Sequence, residues 1–191
     1  MENRKNEILG LIFLGLAPAL ASTADTRSAF VLAIGFFAVL VLSSAVVALL
    51  RKVLADGNTR VIVAVIITTM FSSVFGLLTE AFAVAVYDSI GMYISLIAVN
   101  LLVITLSGKT ADGEWKFSSV LLLALLYGVV ITLVGAIREL LGLGSFCGKA
   151  IPFLAEHTIG IFQHVSGAFL AASLVFGLVS FILSKIMKEA K

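Results

Sequence analysis

The sequence predicts an all-α, polytopic membrane protein of six transmembrane helices, built as a 3+3 inverted repeat with interrupted first and fourth helices. Three observations lead there. Of 191 residues, 61% are hydrophobic and only 13% charged, with a mean hydropathy of +1.18. A soluble domain of this size has no interior large enough to hide so much apolar surface. The charges fall in short clusters between long apolar runs, and a helix needs about 20 apolar residues to cross the roughly 30 Å hydrocarbon layer. Two runs are punctuated, one at Pro18 and one at Asp88–Gly91. The runs lack the alternation of barrel strands, and unpaired backbone groups cannot face lipid, so helix is the default. One membrane domain over residues 1–191 fits the length.

In chain order, the first segment spans Ile8–Ala24. Arg4, Lys5, the apolar run from Ile8 to Leu16 and Ala19-Leu20-Ala21 imitate a cleavable signal peptide, but Pro18 and the spans that follow predict a retained helix. The second segment, Ala29–Leu50, and the third, Val61–Thr79, are separated by the turn formers Asp56-Gly57-Asn58. The fourth region, Ala81–Leu106, begins without any basic residue, breaks at Asp88-Ser89-Ile90-Gly91, and resumes as a short helix from Met92. Asp112-Gly113 form the next turn and Trp115 an interfacial anchor. The fifth segment is Ser118–Ile137 and the sixth Ile161–Met187. Small residues recur every four positions at Gly128, Thr132 and Ala136, and at Gly167 and Ala171, which suits close helix contact.

Basic residues orient this scheme. Arg4, Lys5, Arg51, Lys52, Arg60, Lys109, Lys116, Lys185, Lys188 and Lys191 fall on the side of both termini, against Arg27, Arg138 and Lys149 opposite. That asymmetry predicts cytoplasmic termini in a cell (inner) membrane. Because the bases sit at span ends, the net charge of +2 marks topology and not nucleic-acid binding. The lone Cys147 excludes an internal disulfide and a cysteine-built metal site within one chain, and two histidines, His157 and His164, are too few for a histidine-rich one. No nucleophile–base constellation, phosphate loop or haem motif argues for a self-contained enzyme.

The stretches carrying the two interruptions resemble a known family. Gly15-Leu16-Ala17-Pro18-Ala19-Leu20-Ala21-Ser22-Thr23 is similar to the Gly-Leu-Cys-Pro-Leu-Leu-Ala-Val-Thr stretch of the Rnf/Nqr membrane subunits. Tyr87 to Asn100 resembles their second motif, and Arg138-Glu139-Leu140-Leu141-Gly142-Leu143-Gly144 matches their Arg-Glu block after the fifth span. The resemblance covers essentially the whole chain and is nearest the RnfE/NqrD-like branch. It implies a sister subunit of opposite topology (RnfA/NqrE-like), other Rnf/Nqr-type subunits, Na⁺ or H⁺ as the translocated ion, and an iron or [2Fe-2S] centre held by cysteines of both sister chains. Thiolates suit that task. Here the two family cysteine positions carry Ala17 and Leu101, and the family proline of the fourth helix is Ser95. The expectation is that this chain alone binds no such centre.

The remaining polar residues supply the candidate sites. Glu80, Asp88 and Asn100 are candidates for an ion path or a mid-membrane polar site, because acids and amides near membrane depth are costly unless paired or wet. The plainer readings are solvated helix-end acids and a helix–helix hydrogen bond from Asn100. Arg138 and Glu139 are expected to end the fifth span as a snorkelling base and a solvated acid, or to touch a partner subunit. His164 is expected at the interface. The expected function is a membrane subunit of an Rnf/Nqr-type ion-translocating electron transport complex. The alternatives are a cluster-free inverted-repeat carrier for ions or small solutes, and a pure scaffold.

Overall fold

The computed structural model describes residues 10, 15, 16, 19, 20, 22–50, 52, 53, 57–112, 117–155 and 158–189. A leading segment is helical at Gly15, Leu16, Ala19 and Leu20 and ends in a turn at Ser22–Ala24. There follow α1 (Thr26–Leu50), α2 (Gly57–Phe82), α3 (Val84–Leu96), α4 (Leu101–Asp112) and α5 (Phe117–Leu143). A two-stranded hairpin, β1 (Ser145–Phe146) and β2 (Lys149–Ala150), then leads through the single turn α6 (Pro152–Ala155) and the 3₁₀ turn Gly160–Gln163 to α7 (Val165–Glu189). Among the described residues α1, α2 and α5 are long and apolar enough to cross a membrane, and α3 and the first part of α7 are shorter apolar helices. At 1.5 Å per residue, helices of 25, 26 and 27 residues exceed the hydrocarbon thickness with room for tilt.

Neighbour contacts give the helix directions. In α1 and α5, Ala29 lies by Gly135, Ala33 by Gly128, and Phe36 stacks on Tyr127, so these helices run antiparallel. Gly35 meets Phe75 of α2, and Val47 clusters with Ala64, again antiparallel. Ser28 of α1 reaches Ser89 of α3, and Ser43 reaches Ser107 of α4, so α1 and the α3–α4 pair run parallel. The large buried side chains, among them Leu32, Phe36, Ile94, Leu102, Leu106 and Tyr127, belong to one core where these helices meet. Close approach depends on small residues. A Cβ on Gly135 would overlap Ala29 Cβ and lie 3.4 Å from the Asp25 carbonyl. Gly135→Ala is therefore expected to cost about 1–3 kcal/mol through overpacking, read as a lower thermal midpoint of the detergent-purified chain, whereas Gly177→Ala, with open space around it, is expected to be neutral.

The interruption of the fourth region differs from the expectation. Helix α3 continues through Asp88–Gly91, and the chain unwinds at Ile97–Asn100 instead. Weak helix formers alone do not end this helix: Ser89 Oγ donates to the Val86 carbonyl at 2.8 Å, and the Tyr87 ring covers Gly91. The end comes where other groups take over the backbone. Ser72 of α2 donates to the Ile94 carbonyl at 2.6 Å, and Ile97, Ala98 and Asn100 N–H groups fold back on Ile94, Ser95 and Ile97. With 13 and 12 residues, neither α3 nor α4 crosses a bilayer alone. Upstream, α2 passes into α3 through the single residue Ala83, a sharper bend than a loop. Pro18, the other expected interruption, lies outside the described residues.

Candidate functional site

Asn100 is the residue at which the unwound turn becomes α4. Its main-chain carbonyl accepts the Ile104 N–H at 3.1 Å and its Oδ1 accepts the Leu102 N–H at 3.0 Å, the bonding of an N-cap, where Asn is favoured. The other end of the side chain crosses to the leading segment: Nδ2 donates to the Gly15 carbonyl at 2.9 Å. Tyr127 of α5 donates its hydroxyl to that same carbonyl at 2.5 Å, and the Asn100 amide lies 3.5 Å from the phenolic oxygen. Asn100 is 4% exposed and Tyr127 fully buried. The Tyr127 ring packs on Phe36 with centroids 3.9 Å apart and planes tilted by 31°. Both aromatics lie near the middle of their long helices, so this node sits at mid-membrane depth. Beside it is a cavity of about 10 Å³ lined by residues including Leu32, Tyr93, Ile97, Asn100 and Tyr127, room for about one water.

Further along α1, buried Ser43 and Ser44 each place Oγ 3.3 Å from the hydroxyl of Ser107 in α4. Near the start of α1, Ser28 Oγ lies 3.1 Å from Ser89 Oγ of α3. Hydroxyl contacts thus occur on both sides of the node along the seam between α1 and the broken helix.

Arg138 and Glu139 depart from the expectation of a snorkelling base and a solvated acid: they are 2% and 1% exposed. The hairpin and the 3₁₀ turn fold over the end of α5, and the chain itself supplies their partners. Arg138 donates to the Leu20 carbonyl and the Thr23 hydroxyl, both at 3.0 Å, and to the Phe162 and His164 carbonyls at 3.2 and 3.3 Å. Glu139 accepts the Thr26 N–H at 2.8 Å, the Gly148 N–H at 2.7 Å and the Ser145 hydroxyl at 3.0 Å. The base therefore meets the carboxyl end of the leading helical segment and the acid meets the amino end of α1, the arrangement that helix dipoles favour. Asp25 completes that amino end by capping the Ser28 N–H at 3.1 Å. These bonds are all made within the chain. Glu139→Gln would turn an NH₂ group toward N–H donors, and is expected to cost about 1–3 kcal/mol, measured as a fall in thermal midpoint relative to the parent.

Of the other predicted residues, Glu80 and Asp88 are exposed, and neither lines the cavity beside Asn100. Ala17 lies outside the described residues, as does the side chain of Leu101, whose backbone opens α4. Cys147 is half-buried in the hairpin turn, where it and Gly148 have φ of 51° and 75°, the two positive values a two-residue turn of this kind requires. His164 is exposed. Sequence reasoning missed Tyr127, the Ser43–Ser44–Ser107 contacts and the role of Thr23 and Thr26. The available signal for Tyr127 was a lone phenol inside the apolar run of the fifth span.

A helix break at Ile97–Asn100 held by a hydrogen-bonded node, inside a bundle of long apolar helices, defines a polytopic membrane protein of the broken-helix class. Residues 3–176 match the family described as Rnf-Nqr subunit, membrane protein, and the chain belongs to that family. It is 29% identical over 185 residues to the E-type subunit of the Na(+)-translocating ferredoxin:NAD(+) oxidoreductase complex of Acetobacterium woodii, covering 95% of this chain and 93% of that protein. It is 33% identical over 186 residues to the E-type subunit of the ion-translocating oxidoreductase complex of Methanosarcina acetivorans, covering 93% and 86%. A Shewanella baltica protein of the same name is 32% identical over 196 residues, covering 95% and 84%.

Proposed function

We propose that this chain is the RnfE-like membrane component of an Rnf-Nqr-type, ion-translocating electron transport complex in the cell membrane. The observation that carries the reading is the family match along residues 3–176, joined to a polar node built from Gly15 and Asn100, which lie in the two motif stretches. The finer architecture is six crossings in a 3+3 inverted repeat. The leading segment runs parallel to α5, with Gly15 by Tyr127 and Leu20 by Arg138. Each later pass reverses the one before, and α7 starts where Phe162 packs on Gly142 at the end of α5. An even number of crossings, with the bias of basic residues, supports two cytoplasmic termini. The partners of the reading are a sister membrane subunit, the other subunits of such a complex and bilayer lipid, with Na⁺ or H⁺ as cargo.

The residues do not fit a thiolate-held iron centre. Ala17 and Leu101 bring no donor atoms to the two thiol positions, and Cys147 lies in the hairpin beyond α5. Among the described residues no three His, Cys, Asp or Glu side chains converge, and the polar groups at the node bond to one another. No electron step is therefore assigned to this chain. Its own contribution is the polar seam of Ser28–Ser89, Asn100–Tyr127 and Ser43–Ser44–Ser107, which offers oxygen atoms to a cation or proton within an otherwise apolar bundle. Asn100 is the strongest ion-path candidate, whereas Glu80 and Asp88 belong to the outer surface. A second reading, a cluster-free carrier for ions or small solutes, draws on the same lack of thiols.

The test is isolation of the tagged chain from its native membrane, followed by ion-uptake assays in vesicles. Co-purification with flavin-binding and iron–sulfur subunits, and uptake that needs an electron donor and is lost on deletion of this chain, are expected. Recovery of the chain alone, with flux that needs no donor, supports the carrier and overturns the subunit reading.

A further inference from the structure

We propose that the groove between α1 and α5 holds an acyl chain of one anionic phospholipid, whose phosphate is bound at the groove mouth by Arg27 and Lys149. The inference goes beyond the subunit reading. It requires only that the chain is embedded in a bilayer, and it concerns residues outside the polar seam.

The groove has a volume of about 410 Å³. Ala33, Ala124 and Gly128 form its floor, and exposed apolar side chains form its rims, among them Ile34 on α1 and Val129 on α5. The hydroxyl of Thr132 in the lining donates to the Gly128 carbonyl at 2.8 Å, so the groove presents hydrocarbon. Its α5 wall runs from Ala124 to Leu133, about 13 Å at 1.5 Å per residue. Spread over that length, the volume corresponds to a cross-section on the order of 30 Å², less than half that of a helix about 10 Å across. A single hydrocarbon chain fits such a channel and a helix does not.

Charge sets which lipid it is. Arg27, Phe30, Ile34 and Phe37 follow one another at spacings of three, four and three, on one face of α1. The base therefore stands above the apolar wall of the groove, and the stretch from Arg27 to Phe37 covers about 15 Å, half of the roughly 30 Å hydrocarbon layer. The Arg27 guanidinium lies against the hairpin, where a Cβ on Gly148 would come within 3.4 Å of its Cζ. Lys149 follows Gly148, and both bases are exposed. Because Gly148 is tied to Glu139 at the end of α5, the two cations meet over the mouth from the two walls. Nearby carboxylates are engaged elsewhere: Asp25 caps the Ser28 N–H, and Glu139 accepts the Thr26 and Gly148 N–H groups. A planar guanidinium matches a phosphate with paired hydrogen bonds. A zwitterionic headgroup would bring its own cation against the two bases, and an anionic one does not.

The tagged full chain, extracted from its native membrane in mild detergent, is weighed by native mass spectrometry, then delipidated and titrated with phosphatidylglycerol or phosphatidylcholine. Expected are one retained anionic phospholipid and tighter binding of phosphatidylglycerol than of phosphatidylcholine. Arg27→Gln is expected to weaken phosphatidylglycerol binding roughly fivefold, and its combination with Lys149→Gln roughly thirtyfold, the worth of one and two bases near an anionic surface. Lys52→Gln, an exposed base at the other end of α1, is expected to change neither lipid. Val129→Trp fills the groove from its rim and is expected to weaken both. Equal affinity of the parent for the two lipids, indifference to Arg27→Gln, or unchanged binding in Val129→Trp overturns the inference. The photocrosslinker p-benzoylphenylalanine at Ile34, in the native membrane, is expected to yield a phospholipid adduct. An adduct with a second copy or with another protein also overturns it, and would assign the groove to a protein contact.

Discussion

Arg138→Leu is expected to destabilise the chain by about 3–5 kcal/mol, the usual scale for removing one member of a buried charged network. The leucine fills much of the volume but leaves the carbonyls of Leu20, Phe162 and His164 and the Thr23 hydroxyl without the guanidinium. It also removes the cation adjacent in sequence to the buried Glu139 carboxylate. Arg138→Lys keeps the charge but cannot span three separate carbonyls with one compact ammonium, so an intermediate loss is expected. Thermal unfolding of the detergent-purified variants, followed by the monodisperse fraction remaining, orders the three proteins. A Leu variant as stable as the parent would mean that water, and not the protein, solvates that end of α5.

Asn100→Leu carries the second large effect, about 2–4 kcal/mol, from the lost N-cap and the buried Leu102 N–H left without its acceptor. The Gly15 carbonyl keeps its bond from Tyr127, which limits the damage. Tyr127→Phe, leaving Asn100 on that carbonyl, is expected to cost about 1 kcal/mol. Since both donors serve one acceptor, the double variant is expected to lose more than the sum of the singles, with a coupling of roughly 0.5–3 kcal/mol. Strict additivity in the double-mutant cycle would show that the two side chains act separately. Donor-dependent ion uptake measured on the same variants separates support of the helix break from a part in the ion path: Asn100→Asp retains an acceptor toward Leu102 while losing the amide donor to Gly15.

Much of the architecture was legible in the residues. Apolar runs located α1, α2 and α5 because a helix that faces lipid or other helices on every side needs no polar stripe. The small residues Gly128 and Gly167 do mark close contacts, with Ala33 and with the 3₁₀ turn. Asn100 was recognisable as an amide too deep to be left unpaired, and it bonds across helices as its plainer reading held. The misplacements share one cause. Asp88–Gly91 looked like a break because its residues favour turns in water, yet there the helix keeps its own hydrogen bonds. Arg138 and Glu139 looked solvated because they stand near the end of a span, and nothing local announced that the hairpin at 145–150 and the turn at 160–164 would fold over them.

Composition and charge order determined on their own that the chain lives in a bilayer, which segments are helical, and which polar residues would have to find partners there. Only the tertiary structure decided where the fourth region breaks and which polar residues are inside. In a medium without water, a helix can end only where another part of the chain supplies hydrogen bonds to its orphaned N–H and C=O groups. Those suppliers, Ser72 for Ile94, Arg138 for Leu20 and Glu139 for Thr26, stand 22, 118 and 113 residues away along the sequence, so the endings become visible only once the chain is folded.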